Sequence, residues 1–467
     1  RAVDAERAAL QLWRALERPA REGQAMCWLS KLSWFLGDGV EAMRNNAAAI
    51  HVLDKLPPGR ELAVACVNQA DLDMEMHELD ASVGWARRAI ALAEGWQDIK
   101  ILCDAHNVLG LSRLIGGDDG GWADLTRALQ LALAAGIQEE VASAYTALAA
   151  MAVSRRQYAD AAAYIGSGLG YCEEHDMDFC LPYLLAYRGR MRLETGDWNG
   201  ASQDVEAVLR HPRTTPITSI PALRTLGHLR VRRGDPGATE ALQEARALAG
   251  PEQELQRAGM LAVVLAEAAF LAGDRDSVVR EIQAVYPRSI LRRDPRMNGE
   301  LAAWLWRVNA LKEPPADIAE PYAPEIAGDW RSAARAWETL GCPYEQASLL
   351  GWHGAEAEQR EALALFEQLG ATPGAQILRR EMRASGVRRI PRGARPSTRG
   401  NAFGLTRREA QVLELLSDGL RSATIAKRLF LSRKTVEHHI SAVLAKLGVS
   451  SRAEAVALAG RKFNREG

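Results

Sequence analysis

Several features that would place a chain in a common functional class are missing from this sequence. It contains no Gly-Lys dipeptide, which excludes a GxxxxGK[ST] phosphate-binding loop. Its six cysteines form no CxxC pair, so we expect buried, reduced thiols instead of a disulfide framework. The longest apolar stretch, residues 261–272, is interrupted by Glu267 and is too short to span a bilayer. No signal peptide is visible either, and the sequence therefore predicts a cytoplasmic location without membrane contact.

Potential metal-binding and catalytic side chains do not occur at the spacing of a known type of site. Cys172, His175 and Cys180 lie close together, but no second half-site with ligand spacing accompanies them, so we expect no metal. No Ser/His/Asp, Cys/His or paired-carboxylate set is tied to a plausible pocket. The sequence thus predicts neither a cofactor nor an enzyme activity in these 467 residues.

The charge is unevenly distributed along the chain. The formal net charge is only −1, yet residues 401–467 hold 12 Lys and Arg against 6 Asp and Glu. Residues 386–400 add five Arg and no acid, so the remainder of the chain is acidic. A basic tail on an acidic body is typical of a protein that meets a polyanion through its tail.

A short phrase, Gly-Asp followed by a helix-forming segment, recurs through the rest of the chain. The clearest copies are residues 37–42, 196–201 and 328–333. Copies of all grades start at residues 37, 77, 117, 156, 196, 234, 273 and 328. The steps are 40, 40, 39, 40, 38, 39 and 55 residues, and such regularity indicates an internal repeat.

Each copy is typical of a tight turn between two helices. The glycine ends the first helix in a left-handed conformation, and the aspartate caps the second helix. An alanine one turn later lets the paired helices approach closely. Because one helix pair cannot bury its apolar face alone, such pairs stack into a solenoid. We predict an all-α fold in which residues 1–385 form a helical-repeat solenoid that resembles tetratricopeptide repeats, with longer units.

Two features of the repeats leave alternatives open. The long last step contains six prolines and indicates either an irregular insertion or a missed repeat. Most of the 12 tryptophans lie in the repeats. They either fill gaps between stacked helices or form the aromatic wall of a ligand-binding groove.

Residues 386–400 separate the repeats from the basic tail. They are rich in Gly, Pro and Arg and show no apolar period, which predicts a mobile tether. Their arginines either steer the tail toward phosphate groups or are merely solvated.

Residues 401–467 contain short helices joined by tight turns. Thr406 and Glu409 have the spacing of a capping box ahead of the first helix. Ser422 is placed to cap the second helix, and Ser432 is placed to cap the third.

The third helix has two distinct faces. Five apolar residues share one helical stripe that pins the helix to its domain: Val436, Ile440, Val443, Leu444 and Leu447. The opposite face is polar in its N-terminal half. The helix-turn-helix spans residues 421–440, so the third helix of this segment is the second helix of the motif. In such a motif the second helix places its N-terminal half in the major groove of DNA.

Eight residues are candidates for contact with DNA: Arg433, Lys434, Thr435, Glu437, His438, Ser441, Lys446 and Arg452. Glu437 is placed to accept a hydrogen bond from a cytosine amino group, while His438 and Ser441 are placed to meet base edges. Four of the candidates suit phosphate groups: Arg433, Lys434, Thr435 and Lys446. Such contacts set position and salt dependence rather than sequence choice.

This segment resembles the DNA-binding domain of LuxR-type transcriptional regulators over roughly residues 402–463. The matching residues are Leu405-Thr-x-Arg-Glu409, Val412-Leu413, Gly419-Leu420, Ile425-Ala426, Leu429, Ser432, Thr435-Val436, His439, Lys446-Leu447-Gly448 and Ser451-Arg452. The resemblance implies that the third helix lies in the major groove and that the fourth helix pairs two copies.

The fourth helix and three single positions leave questions open. Residues Ala455, Leu458 and Ala459 serve either such pairing or only the closure of a small four-helix core. Thr424 stands where the family often has an acid, Ala442 where it often has Asn, and Glu437 where some members have Lys. The operator sequence therefore cannot be taken from relatives.

The repeats ahead of this domain resemble those of the large ATP-binding regulators of the LuxR group, whose last repeat looks like residues 360–382. The resemblance implies a nucleotide-binding module upstream of Arg1, to which any ATP hydrolysis would belong. We predict a sequence-specific transcriptional regulator that binds double-stranded DNA as a homodimer. Its repeat body, 1–385, would sense a small-molecule or protein effector and control the DNA-binding domain, 401–467. The alternative is a helical-repeat interaction scaffold with an auxiliary DNA-binding tail.

Overall fold

The computed structural model describes residues 1–212, 214–249, 255–292, 294–391, 405, 407–429, 431–447, 449 and 451–456. The chain divides into two compact units, with the boundary between Arg388 and Arg389. Below, the first is called the repeat unit and the second the C-terminal unit. Within the described ranges every regular element is a helix, and the predicted all-α fold is confirmed.

The repeat unit is a succession of helices joined mostly by short turns. In chain order they are α1 (Ala2–Ala15), α2 (Pro19–Phe35), α3 (Gly39–Leu53), α4 (Arg60–Glu75), α5 (Leu79–Trp96), α6 (Ile99–Ile115), α7 (Gly121–Ala135), α8 (Gln138–Ser154), α9 (Tyr158–Glu174), α10 (Leu181–Glu194), α11 (Trp198–Arg210), α12 (Pro216–Arg233), α13 (Ala238–Ala249), α14 (Leu255–Ala272), α15 (Arg275–Gln283), α16 (Tyr286–Ile290), α17 (Pro295–Arg307), α18 (Tyr322–Ile326), α19 (Trp330–Thr339), α20 (Pro343–His353), α21 (Glu356–Leu369) and α22 (Thr372–Ala384).

The described part of the C-terminal unit begins with three helices: α23 (Arg407–Ser417), α24 (Ser422–Leu429) and α25 (Arg433–Leu447). The backbone is helical again over residues 452–456.

Helices of the repeat unit are arranged in two layers. From α2 to α14, each even-numbered helix packs against the odd-numbered helix that follows it and against the next even-numbered helix. The even-numbered helices therefore form a continuous inner layer, and the odd-numbered helices cover it. This arrangement is the helical-repeat solenoid that the forty-residue period predicts.

The turns between paired helices are built as the repeated phrase predicts. Six glycines adopt φ between 76° and 92°: Gly37, Gly117, Gly196, Gly234, Gly273 and Gly328. Four aspartates accept a hydrogen bond from the backbone N–H three residues later: Asp38, Asp197, Asp274 and Asp329. At the two degenerate copies, His77 and Arg156 hold φ of 59° and 57°. The left-handed turn therefore persists there without glycine.

Small residues lie where paired helices cross. Four alanines, each five residues after the start of a turn, are fully buried: Ala42, Ala161, Ala201 and Ala333. At the degenerate copy that starts at His77, the equivalent residue is Ser82, whose Oγ donates to the carbonyl of Ala70 at 2.7 Å. A short side chain at this point lets the two backbones approach closely.

The long last step of the repeat is an irregular segment. Helices α16 and α18 have only five residues each, and the peptide bond between Glu320 and Pro321 is cis. Helix α17 packs against α14 and α15 as an inner helix would, but a loop follows it in place of a long partner. Regular pairing resumes with α19 and α20 after Gly328.

Late helices of the repeat unit contact early ones. Arg257 of α14 lies 3.5 Å from Glu75 of α4, and Nε2 of His77 lies 3.4 Å from Asp294. Arg156 donates to the hydroxyl of Tyr322 at 2.8 Å. The solenoid thus curls until its later turns cover the inner layer of its first turns.

The tryptophans of the repeat unit differ in their surroundings. Trp198, Trp304 and Trp337 are at most 4% exposed and fill space between helices. Trp34 instead lines a cavity that the inner layer encloses.

All six cysteines are buried free thiols, as expected. Burial raises the pKa of Cys27 to about 12, so that this thiol stays protonated. In the described part of the chain, no helix is both long enough and apolar enough to cross a membrane.

Candidate nucleic-acid interface

Helix α25 starts at a serine cap. The backbone N–H of Thr435 donates to Oγ of Ser432 at 3.0 Å, and the two side-chain hydroxyls lie 2.7 Å apart. This confirms the predicted cap at Ser432. The cap fixes where α25 begins and which side chains occupy its first turn.

The apolar face of α25 is buried as predicted. Val436, Ile440 and Val443 are at most 2% exposed. The first two pack with apolar residues of α23 and α24, whereas Val443 packs with Leu405 and Leu413. These contacts fix the rotation of α25 about its own axis, so the opposite face is held toward solvent.

That opposite face carries five of the predicted contact residues and is called the recognition face: Arg433, Lys434, Glu437, His438 and Ser441. All except Glu437 are exposed, while the neighbouring Thr435 is half-buried. The face lies in the N-terminal half of α25, where the free backbone N–H groups and the helix dipole favour an approaching anion.

Glu437 lies on the recognition face but already has a partner. Nη2 of Arg452 donates to Oε2 of Glu437 at 2.5 Å, and the two side chains are 46% and 41% exposed. The guanidinium of Arg452 lowers the pKa of Glu437 below its ordinary value. Two predicted contact residues therefore bind each other, and a base edge would compete with Arg452 for this carboxylate.

Lys446 joins two helices of the unit. Its ammonium donates to Oε2 of Glu409 at 2.6 Å, and Glu409 is only 7% exposed. The structure thus gives Lys446 a stabilising role between α25 and α23, which we did not predict from the sequence.

The start of α24 differs from our expectation. Ser422 is the first residue of the helix and is 4% exposed, and the carbonyl of Arg421 accepts from the N–H of Ile425 at 3.0 Å. The prediction that Ser422 caps α24 is therefore wrong, because the cap position belongs to Arg421 and the serine packs inside the first turn.

Sequence reasoning also missed basic side chains around α24. Arg421, Lys427 and Arg428 are exposed. Arg408 donates to the carbonyl of Leu429 at 2.8 Å and so satisfies a free carbonyl at the C-terminal end of α24. The excess of basic residues in this segment was the available signal, but it does not say which of them face solvent.

Comparison with known proteins identifies the family. Residues 404–459 match the model of the family described as bacterial regulatory proteins, luxR family. The chain is 50% identical over 52 residues to the spore germination protein GerE of Bacillus subtilis (strain 168), which covers 11% of this chain and 70% of GerE. The chain belongs to the LuxR family.

Two longer LuxR-type relatives match the same part of the chain. Transcriptional regulatory protein DegU of Brevibacillus brevis is 46% identical over 52 residues, 11% of this chain and 22% of DegU. The DNA-binding transcriptional activator DevR/DosR of Mycobacterium tuberculosis (strain ATCC 25618 / H37Rv) is 48% identical over 56 residues. That match covers 12% of this chain and 26% of the relative, so the chain spans about a quarter of the length of each.

The fourth helix of the LuxR-family domain starts at a serine. The N–H of Glu454 donates to Oγ of Ser451 at 3.2 Å. Ala455 is fully buried beside Leu405 and Leu413, and it therefore closes the core of the domain. The other two residues of this segment with a predicted role, Leu458 and Ala459, lie outside the described residues, as does the cap predicted at Thr406.

The two other departures from the LuxR pattern lie on α24 and α25. Thr424 is exposed on α24, and Ala442 is half-buried on α25.

Among the described residues, no group of three or more His, Cys, Asp or Glu side chains is arranged to hold a metal ion.

Proposed function

We propose that this protein is a sequence-specific transcriptional regulator that binds double-stranded DNA through the recognition face of α25. One observation carries the proposal. In a segment that matches the LuxR family, the apolar side of α25 is buried at Val436, Ile440 and Val443, and its N-terminal half exposes cationic and polar side chains. A helix fixed in this way can enter the major groove.

The roles of the recognition face follow from its chemistry. Arg433 and Lys434, in the first turn of α25, contact phosphate groups and set the register of the helix. His438 and Ser441 meet base edges, and Glu437 accepts from a cytosine amino group when it leaves Arg452. The exposed basic residues beside α24 add sequence-independent attraction to the DNA backbone.

The proposal also assigns an input to the repeat unit. The inner layer encloses a cavity of about 680 Å³, a volume that suits a small molecule. Occupation of the repeat unit by an effector would change the availability of the C-terminal unit for DNA. We further propose that two copies bind one operator, as the family resemblance implies.

A gel-shift titration of the full chain against the DNA upstream of its own gene tests the proposal. We expect a complex that resists non-specific competitor DNA, with two chains per duplex. Absence of any complex at low salt and high protein concentration would refute DNA binding.

Lys434→Ala refines this test. Loss of one phosphate contact should weaken binding to all sequences and reduce the slope of log affinity against log salt by about one. Lys55→Ala, an exposed lysine of the repeat unit, is the matched control and should leave the slope unchanged.

A further inference from the structure

The inner layer of the repeat unit encloses a cavity that DNA binding does not use. Its volume is about 680 Å³, and it is lined by α2, α4, α6, α8, α10, α12 and α14. Trp34, Tyr183 and Tyr187 form part of its wall and supply aromatic surface. A mostly apolar cavity with a few converging polar groups is typical of a small-molecule site.

One end of the cavity is crowded with arginine. Nη1 of Arg190 lies 3.9 Å from the sulfur of Met260, and Nη1 of Arg224 contacts the same sulfur. Two guanidinium groups from different helices therefore converge on one point. Arg257 also lines the cavity, with its Cζ 5.6 Å from the ring centre of Trp34.

These arginines are not equally neutralised. Arg190 pairs with Glu194 at 2.8 Å, and Arg257 pairs with Glu75 at 3.5 Å. Arg224, by contrast, has no carboxylate within 4.0 Å in the described part of the chain. Its nearest polar contact is the sulfur of Met260, which is a weak acceptor.

The surroundings of Arg224 make its positive charge unfavourable. Burial and the neighbouring Arg190 lower the pKa of Arg224 to about 10. An enclosed charge without a close counter-charge is destabilising, and an anion bound beside Arg224 would relieve this. A guanidinium with free donors is the side chain best suited to a carboxylate or phosphate group.

A small adjoining recess repeats this arrangement. It measures about 50 Å³ and shares Arg190 and Met260 with the cavity. Arg296 lines it, and in the described ranges its guanidinium likewise has no carboxylate oxygen within 4.0 Å. Burial, together with Arg155 and Arg156, lowers the pKa of Arg296 to about 10. A second guanidinium without an ion-pair partner therefore lies near Arg190, although Asp294 and Glu300 also line the recess.

Acidic side chains lie elsewhere on the same wall and restrict where an anion can go. Asp71 and Asp104 line the cavity from α4 and α6. Burial, with the nearby Glu75, raises the pKa of Asp71 to about 7. Burial also raises the pKa of Asp104, so these carboxyl groups offer an anionic ligand no counter-charge, whereas the arginines do.

We propose that this cavity binds a small organic anion, whose carboxylate or phosphate group is held by Arg224 and Arg190. The apolar or aromatic body of the ligand lies against Trp34, Tyr183 and Tyr187. The claim that the anion binds depends only on the side chains that line the cavity. The claim that the anion acts as an effector rests on the function proposed above.

Calorimetric titration of the full chain with three matched probes tests the site. The probes are 2-naphthoate, 2-naphthyl phosphate and uncharged 2-naphthalenemethanol, which share a ring system and differ in the polar group. We expect one anion per chain, with the alcohol bound about tenfold or more weakly, and the tighter anion distinguishes carboxylate from phosphate. Equal binding of the alcohol, or no binding of either anion at about 10 mM, would overturn the proposal.

Substitution of Arg224 assigns the binding to this cavity. Arg224→Met should lower anion affinity about tenfold, and it should leave the thermal midpoint unchanged or raised because an unpaired charge is removed. Arg210→Met, at an exposed arginine of α11, is the matched control and should change neither quantity. Undiminished anion binding by Arg224→Met would place the site elsewhere.

A conservative variant covers the case in which Arg224→Met folds poorly. Arg224→Lys keeps the charge and should bind the anions more tightly than the methionine variant does. A folded lysine variant with no such gain would overturn the assignment of Arg224.

Gel shifts with and without the tighter naphthyl anion distinguish anion binding in the cavity from an effect of that binding on DNA affinity. A changed DNA affinity supports the effector role. An unchanged DNA affinity, with anion binding intact, overturns that role but leaves the site standing. Absence of DNA binding under all conditions refutes the proposed function and does not affect the calorimetric result.

Discussion

Glu267 interrupts the apolar stretch of α14, and the structure shows why a charge is tolerated there. Its side chain is 5% exposed, lies 2.8 Å from Nε2 of His228 and accepts from Arg232 at 2.9 and 3.1 Å. Burial alone would raise the pKa of Glu267, but Arg232 and His228 outweigh it and lower the pKa below its ordinary value near 4.5. The acid therefore remains ionised inside the protein.

Glu267→Gln should destabilise the repeat unit by about 3–5 kcal/mol near neutral pH, because the buried guanidinium of Arg232 loses one of its two carboxylate partners and keeps only Glu345. A lowered pKa stabilises the fold above pH 4.5, and this contribution is lost as the pH falls toward the folded-state pKa. The difference between variant and wild type should therefore shrink in acid. Urea unfolding at several pH values measures it.

Glu206→Gln is the control for that prediction. Glu206 forms an exposed pair with Arg210 one helical turn away, so its loss should change stability by less than about 1 kcal/mol. A destabilisation that is equal for both variants, or constant with pH, would contradict the role given to Glu267.

Glu437→Ala should relax base preference at one position of the operator, by about 1–3 kcal/mol, because one acceptor on the recognition face is lost. Selection of binding sites from randomised duplexes measures the preference. Glu414→Ala, on the exposed side of α23, is the matched control. An unchanged preference in Glu437→Ala would show that this carboxylate serves only its pair with Arg452.

Whole helices and turns were the easiest features to predict, because their signals are local. The faces of α25 follow from the spacing of Val436, Ile440 and Val443 alone, and the repeat turns follow from one glycine and one aspartate. The pairs Glu437–Arg452 and Lys446–Glu409 join different helices, and no local pattern marks them. The contact between His77 and Asp294 spans 217 residues, so neither the curling of the solenoid nor its arginine-lined cavity could be predicted.

The turns of the repeat can be tested by replacing glycine with alanine, because the backbone conformation at each glycine decides whether the substitution stabilises or destabilises the protein. Gly117 has φ of +87° and Gly166 lies inside α9, and an added Cβ would meet no atom within 4 Å at either position. Gly117→Ala should destabilise by about 1–2 kcal/mol through the left-handed backbone alone. Gly166→Ala should stabilise by roughly 0.5–1 kcal/mol through helix propensity. Urea unfolding followed by tryptophan fluorescence compares the midpoints of the two variants. Effects of the same sign would contradict the left-handed turn at Gly117.

The chain as a whole combines two compact units of opposite character. The acidic repeat unit contains all 12 tryptophans, between Trp13 and Trp352, and the basic C-terminal unit contains none. Tryptophan fluorescence therefore reports only the repeat unit, whereas helical circular dichroism reports both. This separation allows the unfolding of each unit to be followed in the intact protein.

We expect the two probes to give urea transitions that do not coincide, since separate units need not unfold together. Circular dichroism should show a further transition that is absent from fluorescence. Duplex DNA at about 100 times its Kd should stabilise the unit that binds it by about 2.7 kcal/mol, and so move only this further transition. The same duplex at high salt, where phosphate contacts are weak, is the control. If DNA moved the fluorescence midpoint as much as the further circular-dichroism transition, the two units would unfold as one cooperative block. The repeat unit could then not respond to an effector independently of the C-terminal unit.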